Sequence, residues 1–331
     1  MSALLEVENL RVEIAARART MVAIDDVSFS IQGGEILGVV GESGAGKSVT
    51  GTAILGLLEK PAYQAGGRIL FAGARIDNLG EEAMRALRGR QIAAVFQDPL
   101  TSLDPLITIG RQLTETMLTH LPISRDEAWA RAQRLLAEVG IPAPMERLQS
   151  YPHELSGGMR QRVVLALAFC CEPRLIIADE PTTALDVSIQ AQVLDLLKRM
   201  CRERGTAVML VTHDMGVIAE AADRVAVMYA GRLVEIGPTL EILRAAAHPY
   251  SRGLMASIPT LRRRDEELMQ IPGAMPRPDA PVSGCAFHPR CAQAVERCRI
   301  ERPPSVPVGA SLAACWLAGQ GASPAMGRHR S

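Results

Sequence analysis

From Leu4 to about Gly237, short apolar runs alternate with longer stretches in which apolar positions recur every three or four residues. The runs Ser28 to Ile31, Glu35 to Val40, Ile92 to Phe96, Leu175 to Ala178, Ala207 to Thr212 and Arg224 to Met228 are rich in β-branched residues and read as strands. Several are apolar almost throughout, as strands buried on both faces are. Ser188 to Arg202 is the clearest helix, because Ile189, Val193, Leu196, Leu197 and Met200 share one face while Lys198, Arg199 and Arg202 stay outside. This rhythm predicts an α/β fold with a mostly parallel sheet covered by helices. Between about Pro105 and Arg147 the β signal fades. Glu127 to Val139 has helical periodicity and ends at Pro142 and Pro144, so this stretch reads as an all-helical insertion. After Pro238 the texture changes: prolines crowd into Pro259 to Pro281, and Arg262-Arg263-Arg264 is followed at once by Asp265, Glu266 and Glu267. The charge run reads as a self-neutralising solvated face, and the segment as a linker into a small C-terminal module.

The apolar run ending at Val40 passes directly into Gly41-Glu42-Ser43-Gly44-Ala45-Gly46-Lys47-Ser48 and then into a helix-like stretch beginning with Val49. Strand, glycine-rich loop and helix in that order make a phosphate-binding loop, in which successive backbone N–H groups curl around phosphate oxygens. Lys47 places a point charge near the β and γ phosphates, and Ser48 offers a hydroxyl to Mg²⁺. The implied ligand is a nucleoside triphosphate. Arg174-Leu-Ile-Ile-Ala-Asp179-Glu180-Pro181 is an apolar strand ending in two carboxylates. Beside the loop, Asp179 would hold Mg²⁺ and Glu180 would orient and polarise the attacking water. Leu155-Ser156-Gly157-Gly158-Met159-Arg160-Gln161 opens a helix with Ser156 as N-cap and leaves the N–H groups of Gly157 and Gly158 free for an anion.

Composition narrows the partners. The 331 residues carry 36 Lys and Arg against 36 Asp and Glu, and only 3% are aromatic. There is no broad basic field and little stacking surface, which argues against nucleic acid. The N-terminus lacks a basic region followed by an apolar segment, so a cytosolic location is expected. The apolar run Val163 to Cys171 is far short of the ~20 residues a membrane helix needs. The uncharged tract from Pro303 to Gly327 is broken by prolines and reads as a loop.

Leu-Ser-Gly-Gly-Met-Arg-Gln-Arg from Leu155, set between a phosphate loop and an Ile-Ile-Ala-Asp-Glu-Pro strand, resembles the signature sequence of ATP-binding cassette ATPases. Gln97 in Val95-Phe96-Gln97-Asp98-Pro99 matches that family's glutamine loop, Ala184-Leu185-Asp186 its D-loop, and His213 its switch histidine. The resemblance implies a P-loop NTPase nucleotide-binding domain over residues 1–237, with a mixed sheet core, a helical subdomain at about 105–170 and a C-terminal module at 238–331. It also implies two cassettes head to tail. Gly41, Ser43, Gly44, Gly46, Lys47, Ser48, Val49, Gln97, Asp179, Glu180 and His213 of one chain would face Ser156, Gly157, Gly158 and Asp186 of the other across ATP. Ser48, Gln97 and Asp179 would hold Mg²⁺, while Glu180, with Gln97 and His213, would carry catalysis. One departure stands out: residues 11 to 27 contain no Phe, Tyr or Trp to stack on adenine, which leaves Arg17, Arg19 and Met21 as candidates.

His248-Pro249-Tyr250, followed by Cys285-x5-Cys291-x6-Cys298-x16-Cys315, resembles the tail of ATPases from bacterial dipeptide and oligopeptide importers, whose relatives also carry nickel or glutathione. Four thiolates suit a [4Fe-4S] cluster or a zinc ion, and some members of that subfamily hold a cluster here, so the cluster is the favoured reading. Cys170, Cys171 and Cys201 lie in helix-like apolar surroundings and read as buried hydrophobes. The resemblance further implies two multi-span permease subunits, a second cassette ATPase (a paralogue rather than an identical copy, although every motif here is intact), an extracytoplasmic binding protein, and a peripheral place on the cytoplasmic face of the bacterial inner membrane. A soluble cassette ATPase serving DNA repair or translation is the alternative from another class.

Overall fold

The computed structural model describes residues 3–16, 19–182, 186–257 and 270–318. Arg17, Ala184, Leu185 and the charge run at 262–267 lie outside the described residues.

Five strands form the parallel centre of the main sheet, in the order Arg224–Tyr229, Ile36–Val40, Ala207–Val211, Leu175–Asp179 and Ile92–Val95. Each lies within a residue or two of its predicted run. Alternate side chains leave the sheet on opposite faces, so the strands divide between two apolar cores. Leu37, Val39, Leu175, Ile177, Met209 and Val211 pack on one side, Ile36, Val40, Ile176, Ala178, Val208 and Leu210 on the other. Burial on both faces is why these runs show almost no polar alternation.

The first core is closed by a second, wholly antiparallel sheet in the order Met21–Ile31, Leu5–Ile14, Ala62–Phe71 and Ala74–Arg75. This sheet corrects the sequence reading, which found only Ser28 to Ile31 here. One face of the layer is wet, so polar residues interrupt its pattern and hide its length. On the other side sits the helical arm, with Ile109–His120, Arg125–Glu138, Pro144–Arg147 and Gly157–Phe169 as its helices. Arg125–Glu138 starts from a capping box in which Ser124 and Glu127 bond each other's backbone N–H, and Leu113, Met117, Ala132, Leu136 and Leu165 fill the space between helices.

Within the described part of the tract from Pro303, the chain is not the loop its prolines suggested, and the remainder from 319 lies outside the described residues. Val306–Val308 and Ser311–Ala313 form a hairpin, and Ser311–Ala313 pairs antiparallel with Arg232–Pro238 at the sheet's edge. Pro307 is tolerated because its strand is the outermost one. Among the described residues no helix is long and apolar enough to cross a membrane.

Candidate nucleotide site

The fully buried strand Ile36–Val40 delivers the chain to the loop beginning at Gly41. A side chain at Gly41 would place its Cβ 2.2 Å from the Met228 carbonyl oxygen, so only glycine lets the loop leave the sheet here. Gly46 caps the helix Lys47–Ile54 from the left-handed region, at φ 103°. Lys47 is buried, and its ammonium donates to the carbonyl oxygens of Gly41 at 2.8 Å and Glu42 at 3.1 Å. Burial holds its pKa below the usual lysine value, against the opposite pull of Glu180 and Asp179.

The strand Leu175–Asp179 is a neighbour but one of the loop strand, which brings its carboxylates to the loop. Ser48 donates to Asp179 Oδ1 at 3.1 Å, the pairing expected of two Mg²⁺ ligands. Burial raises the Asp179 carboxyl above its ordinary value; the Ser48 hydrogen bond and Lys47 oppose this, while the Glu180 charge adds to it. Glu180 sits at φ 48°, in the left-handed region, with its N–H bonded to the Val211 carbonyl at 2.8 Å. That backbone costs roughly 1–2 kcal/mol in a non-glycine residue, and it turns the carboxylate between two partners. Gln97 Nε2 donates to Oε2 at 3.2 Å, and His213 Nδ1 lies 2.9 Å from Oε1. His213 follows the strand Ala207–Val211, and the turn beyond it is fixed where the Asp214 N–H meets Thr212 Oγ1 at 3.0 Å.

These groups share a cavity of about 710 Å³ lined by Ser43, Gly44, Gly46, Lys47, Ser48, Val49, Gln97, Glu180 and His213, with Ile14, Ala23 and Pro278 completing its wall. Ser156, Gly157, Gly158 and Asp186 are not among its lining residues. Ser156 does cap the helix Gly157–Phe169, accepting from the Met159 N–H at 3.4 Å, and that helix end is exposed. The chain thus brings one half of the predicted site together and presents the other half on its surface. Of the adenine candidates, Arg19 lines an adjoining cavity of about 350 Å³ together with Arg11, Arg232 and Arg277, and neither it nor Met21 lines the phosphate cavity.

Four residues that sequence reasoning did not place at this site join it to the tail. Tyr250 Oη accepts the Glu42 N–H at 2.9 Å, and Arg290 Nη1 holds the Glu42 carboxylate at 3.0 and 2.9 Å. Met275 approaches Gly44, and Pro278 closes the cavity. The His248-Pro249-Tyr250 motif was a signal for the first: His248 Nδ1 accepts the Tyr250 N–H and caps Pro249–Ala256 with Pro at N1, which aims the Tyr250 ring inward. Nothing in the sequence marked Arg290, Met275 or Pro278.

The four tail cysteines converge. Cys285, Cys291, Cys298 and Cys315 line one small cavity with His248, Phe287, His288 and Trp316. Burial raises the thiols of Cys285, Cys291 and Cys315, and neighbouring cysteines of the group add to the effect. Backbone N–H groups of Phe287, Gln293, Leu317 and Ala318 pull the other way. Among the described residues, no three His, Cys, Asp or Glu side chains stand close enough to hold a metal ion. His288 turns its Nδ1 to the Cys285 carbonyl, and Trp316 lies under Arg297 at 3.5 Å. Cys170, Cys171 and Cys201 are buried, as expected, and burial pushes the Cys201 thiol up to about 12.

Comparison with known proteins agrees with this geometry. Residues 24–183 match the family described as ABC transporter, and residues 234–298 match the oligopeptide/dipeptide transporter C-terminal region. The dipeptide transport ATP-binding protein DppD of Bacillus subtilis is 46% identical over 330 residues, 98% of each chain. The oligopeptide transport ATP-binding protein OppD of Salmonella typhimurium is 45% identical over 313 residues, covering 95% of this chain and 93% of its own. A dimeric ATP-binding cassette solved in a post-hydrolysis state with ADP and Pi superposes with a TM-score of 0.64 at 26% identity, over 71% of this chain and 98% of its own.

Proposed function

This chain belongs to the ABC transporter family of ATP-binding subunits, in its oligopeptide and dipeptide branch, and from that premise we propose that it hydrolyses ATP to power import of dipeptides or oligopeptides through a membrane permease pair. The observation that carries this reading is the Glu180 carboxylate, held between Gln97 and His213 at the mouth of the phosphate loop, with Asp179 on Ser48 beside it. ATP is the substrate. The loop N–H groups and Lys47 bind its phosphates, Gln97 and Glu180 orient a water for in-line attack, and Glu180 takes that water's proton. His213 fixes the carboxylate that does so. Ser48, Asp179 and Gln97 would hold Mg²⁺, which when bound would supply positive charge to the phosphates.

The exposed helix end at Ser156, Gly157 and Gly158 serves the nucleotide of a second cassette, with Asp186 in the same interface. Such an interface stabilises the transferring phosphoryl group by a helix dipole and N–H groups that one chain cannot direct at its own site. Two permease subunits, a paralogous second ATPase and an extracytoplasmic binding protein complete the assembly, and the chain works peripherally at the cytoplasmic face of the inner membrane. The cassette comprises 1–237 and the module 238–331. Cys285, Cys291, Cys298 and Cys315 would hold a [4Fe-4S] cluster in this reading: the four line one small cavity, with main-chain N–H groups at the thiols of Cys285, Cys291 and Cys315. No three of them stand close enough to hold a metal ion as they are, so binding would have to draw them together. The cluster would act there as a structural staple or redox-responsive group.

The test is purification of the tagged chain from membranes of its own host in mild detergent, with mass spectrometry of what accompanies it. Two multi-span permeases and a second cassette ATPase are expected. Ribosomal or DNA-repair proteins in their place would overturn the importer reading.

A further inference from the structure

The residues that follow the cassette run back across the phosphate loop, and the contacts are specific. Arg290, whose side chain is 5% exposed, uses every arm of its guanidinium. Nη1 binds both Glu42 carboxylate oxygens and reaches Tyr229 Oη at 3.3 Å, Nη2 donates to the Ile271 carbonyl at 3.1 Å, and Nε donates to the Pro272 carbonyl at 2.8 Å. One side chain therefore ties the loop residue after Gly41 to the segment 270–278. Further along that segment, Met275 accepts the Ala230 N–H through sulfur at 3.3 Å. Its methyl group lies 3.3 Å from where a Cβ on Gly44 would stand. Pro278 then lines the phosphate cavity together with Ile14 and Ala23. Among the described residues none that line the cavity is Phe, Tyr or Trp, and away from the phosphate-loop and catalytic side chains its apolar lining is Ile14, Ala23, Val49 and the Pro278 ring.

The structure assigns to segment 270–278 the role of a wall of the nucleotide site: Pro278 supplies the surface against which the purine base packs, and Arg290 is the positioning residue that locks the segment and the loop together through Glu42. This rests on the ATP-binding reading above. A buried guanidinium that satisfies one carboxylate and two carbonyls is a rigid, pre-organised clamp. Without it the Glu42 carboxylate loses its buried partner and the loop loses a fixed point next to the N–H groups that hold phosphate. The aliphatic wall replaces stacking energy with apolar contact, which is less selective among bases.

The experiment measures dissociation constants of the full-length, anaerobically purified protein for a fluorescent ATP analogue, with ATP, GTP and inorganic tripolyphosphate as competitors. Tripolyphosphate carries the phosphates without the base. Pro278→Gly is expected to weaken ATP and GTP alike by about threefold to tenfold and to leave tripolyphosphate unchanged. Glu42→Gln and Arg290→Ala are expected to weaken all three by at least about tenfold, with the double variant no weaker than either single one. Arg290→Lys restores part of the loss. Because Arg290 adjoins Cys291, the decision rests on Glu42→Gln and Pro278→Gly, which leave the cysteine region intact. Parent affinities in both, with binding abolished by Lys47→Ala, would overturn this inference and leave the ATP site standing. If Lys47→Ala bound as the parent does, the ATP-site reading itself would fall.

Discussion

Replacing Glu180 by Gln removes the charge of the group assigned to the attacking water and leaves its shape. In the structure one carboxylate oxygen meets His213 and the other meets the Gln97 amide. A glutamine keeps one acceptor and turns the other oxygen into a donor, so one pairing survives after rotation of an amide and the loop geometry is preserved. What disappears is the base. General-base assistance contributes about 10²- to 10⁴-fold, so single-turnover phosphate release should fall by that factor, an increase of about 3 to 5 kcal/mol in the barrier. ATP affinity should hold or improve, since a negative charge beside the γ-phosphate is gone, and the closed dimer should accumulate with ATP trapped. Glu180→Gly separates chemistry from stability. It relieves the left-handed backbone at φ 48°, worth roughly 1–2 kcal/mol, against about 0.5–1 kcal/mol of glycine's extra chain entropy. That variant should melt at or slightly above the parent temperature while being as inactive as Glu180→Gln. Phosphate release within threefold of the parent in either variant would refute the assignment of Glu180 as the base.

Lys47→Ala should abolish nucleotide binding by equilibrium dialysis; an unchanged dissociation constant would remove the phosphate-loop reading. Ser156→Ala should cost about 0.5–1 kcal/mol of stability through its long N-cap bond and slow hydrolysis in the assembled transporter, while one chain's ATP binding stays intact. His248 is buried beside Arg252, its backbone N–H on Glu235, and burial pushes its pKa down to about 4 from 6.5. The unfolded chain therefore takes up a proton at higher pH than the folded one. The neutral histidine's contribution is fully present above pH 6.5 and is lost progressively down to pH 4, at most about 3 kcal/mol. Urea midpoints across that window should show the slope in the parent and a smaller one in His248→Asn. Anaerobic purification should yield a brown protein with about four iron and four sulfide per chain; stoichiometric zinc would refute the cluster.

Much of the site was legible because its chemistry depends on neighbours along the chain. A loop that wraps phosphate needs its glycines, lysine and hydroxyl in one continuous stretch, and a strand that delivers two acids needs them adjacent at its end. The double burial of Ile36–Val40, Leu175–Asp179 and Ala207–Val211 was likewise written locally, as runs with no polar interruption. The antiparallel layer was not, because Leu5–Ile14 and Met21–Ile31 alternate polar and apolar residues and carry register shifts at Leu10 and Val12, which break a period of two.

What the sequence determined by itself, then, was the set of groups that bind phosphate, since backbone N–H groups and the lysine act within one turn of each other. Only the tertiary structure decided what surrounds them. Glu180 meets Gln97 and His213 because parallel strands end at the same edge of one sheet. Arg290 meets Glu42 across a separation of 248 residues because the tail hairpin is fastened to the sheet at Arg232–Pro238. Such contacts leave no periodic trace: a single buried arginine looks, in sequence, like any exposed one, and its carboxylate partner is chosen by the path of the folded chain.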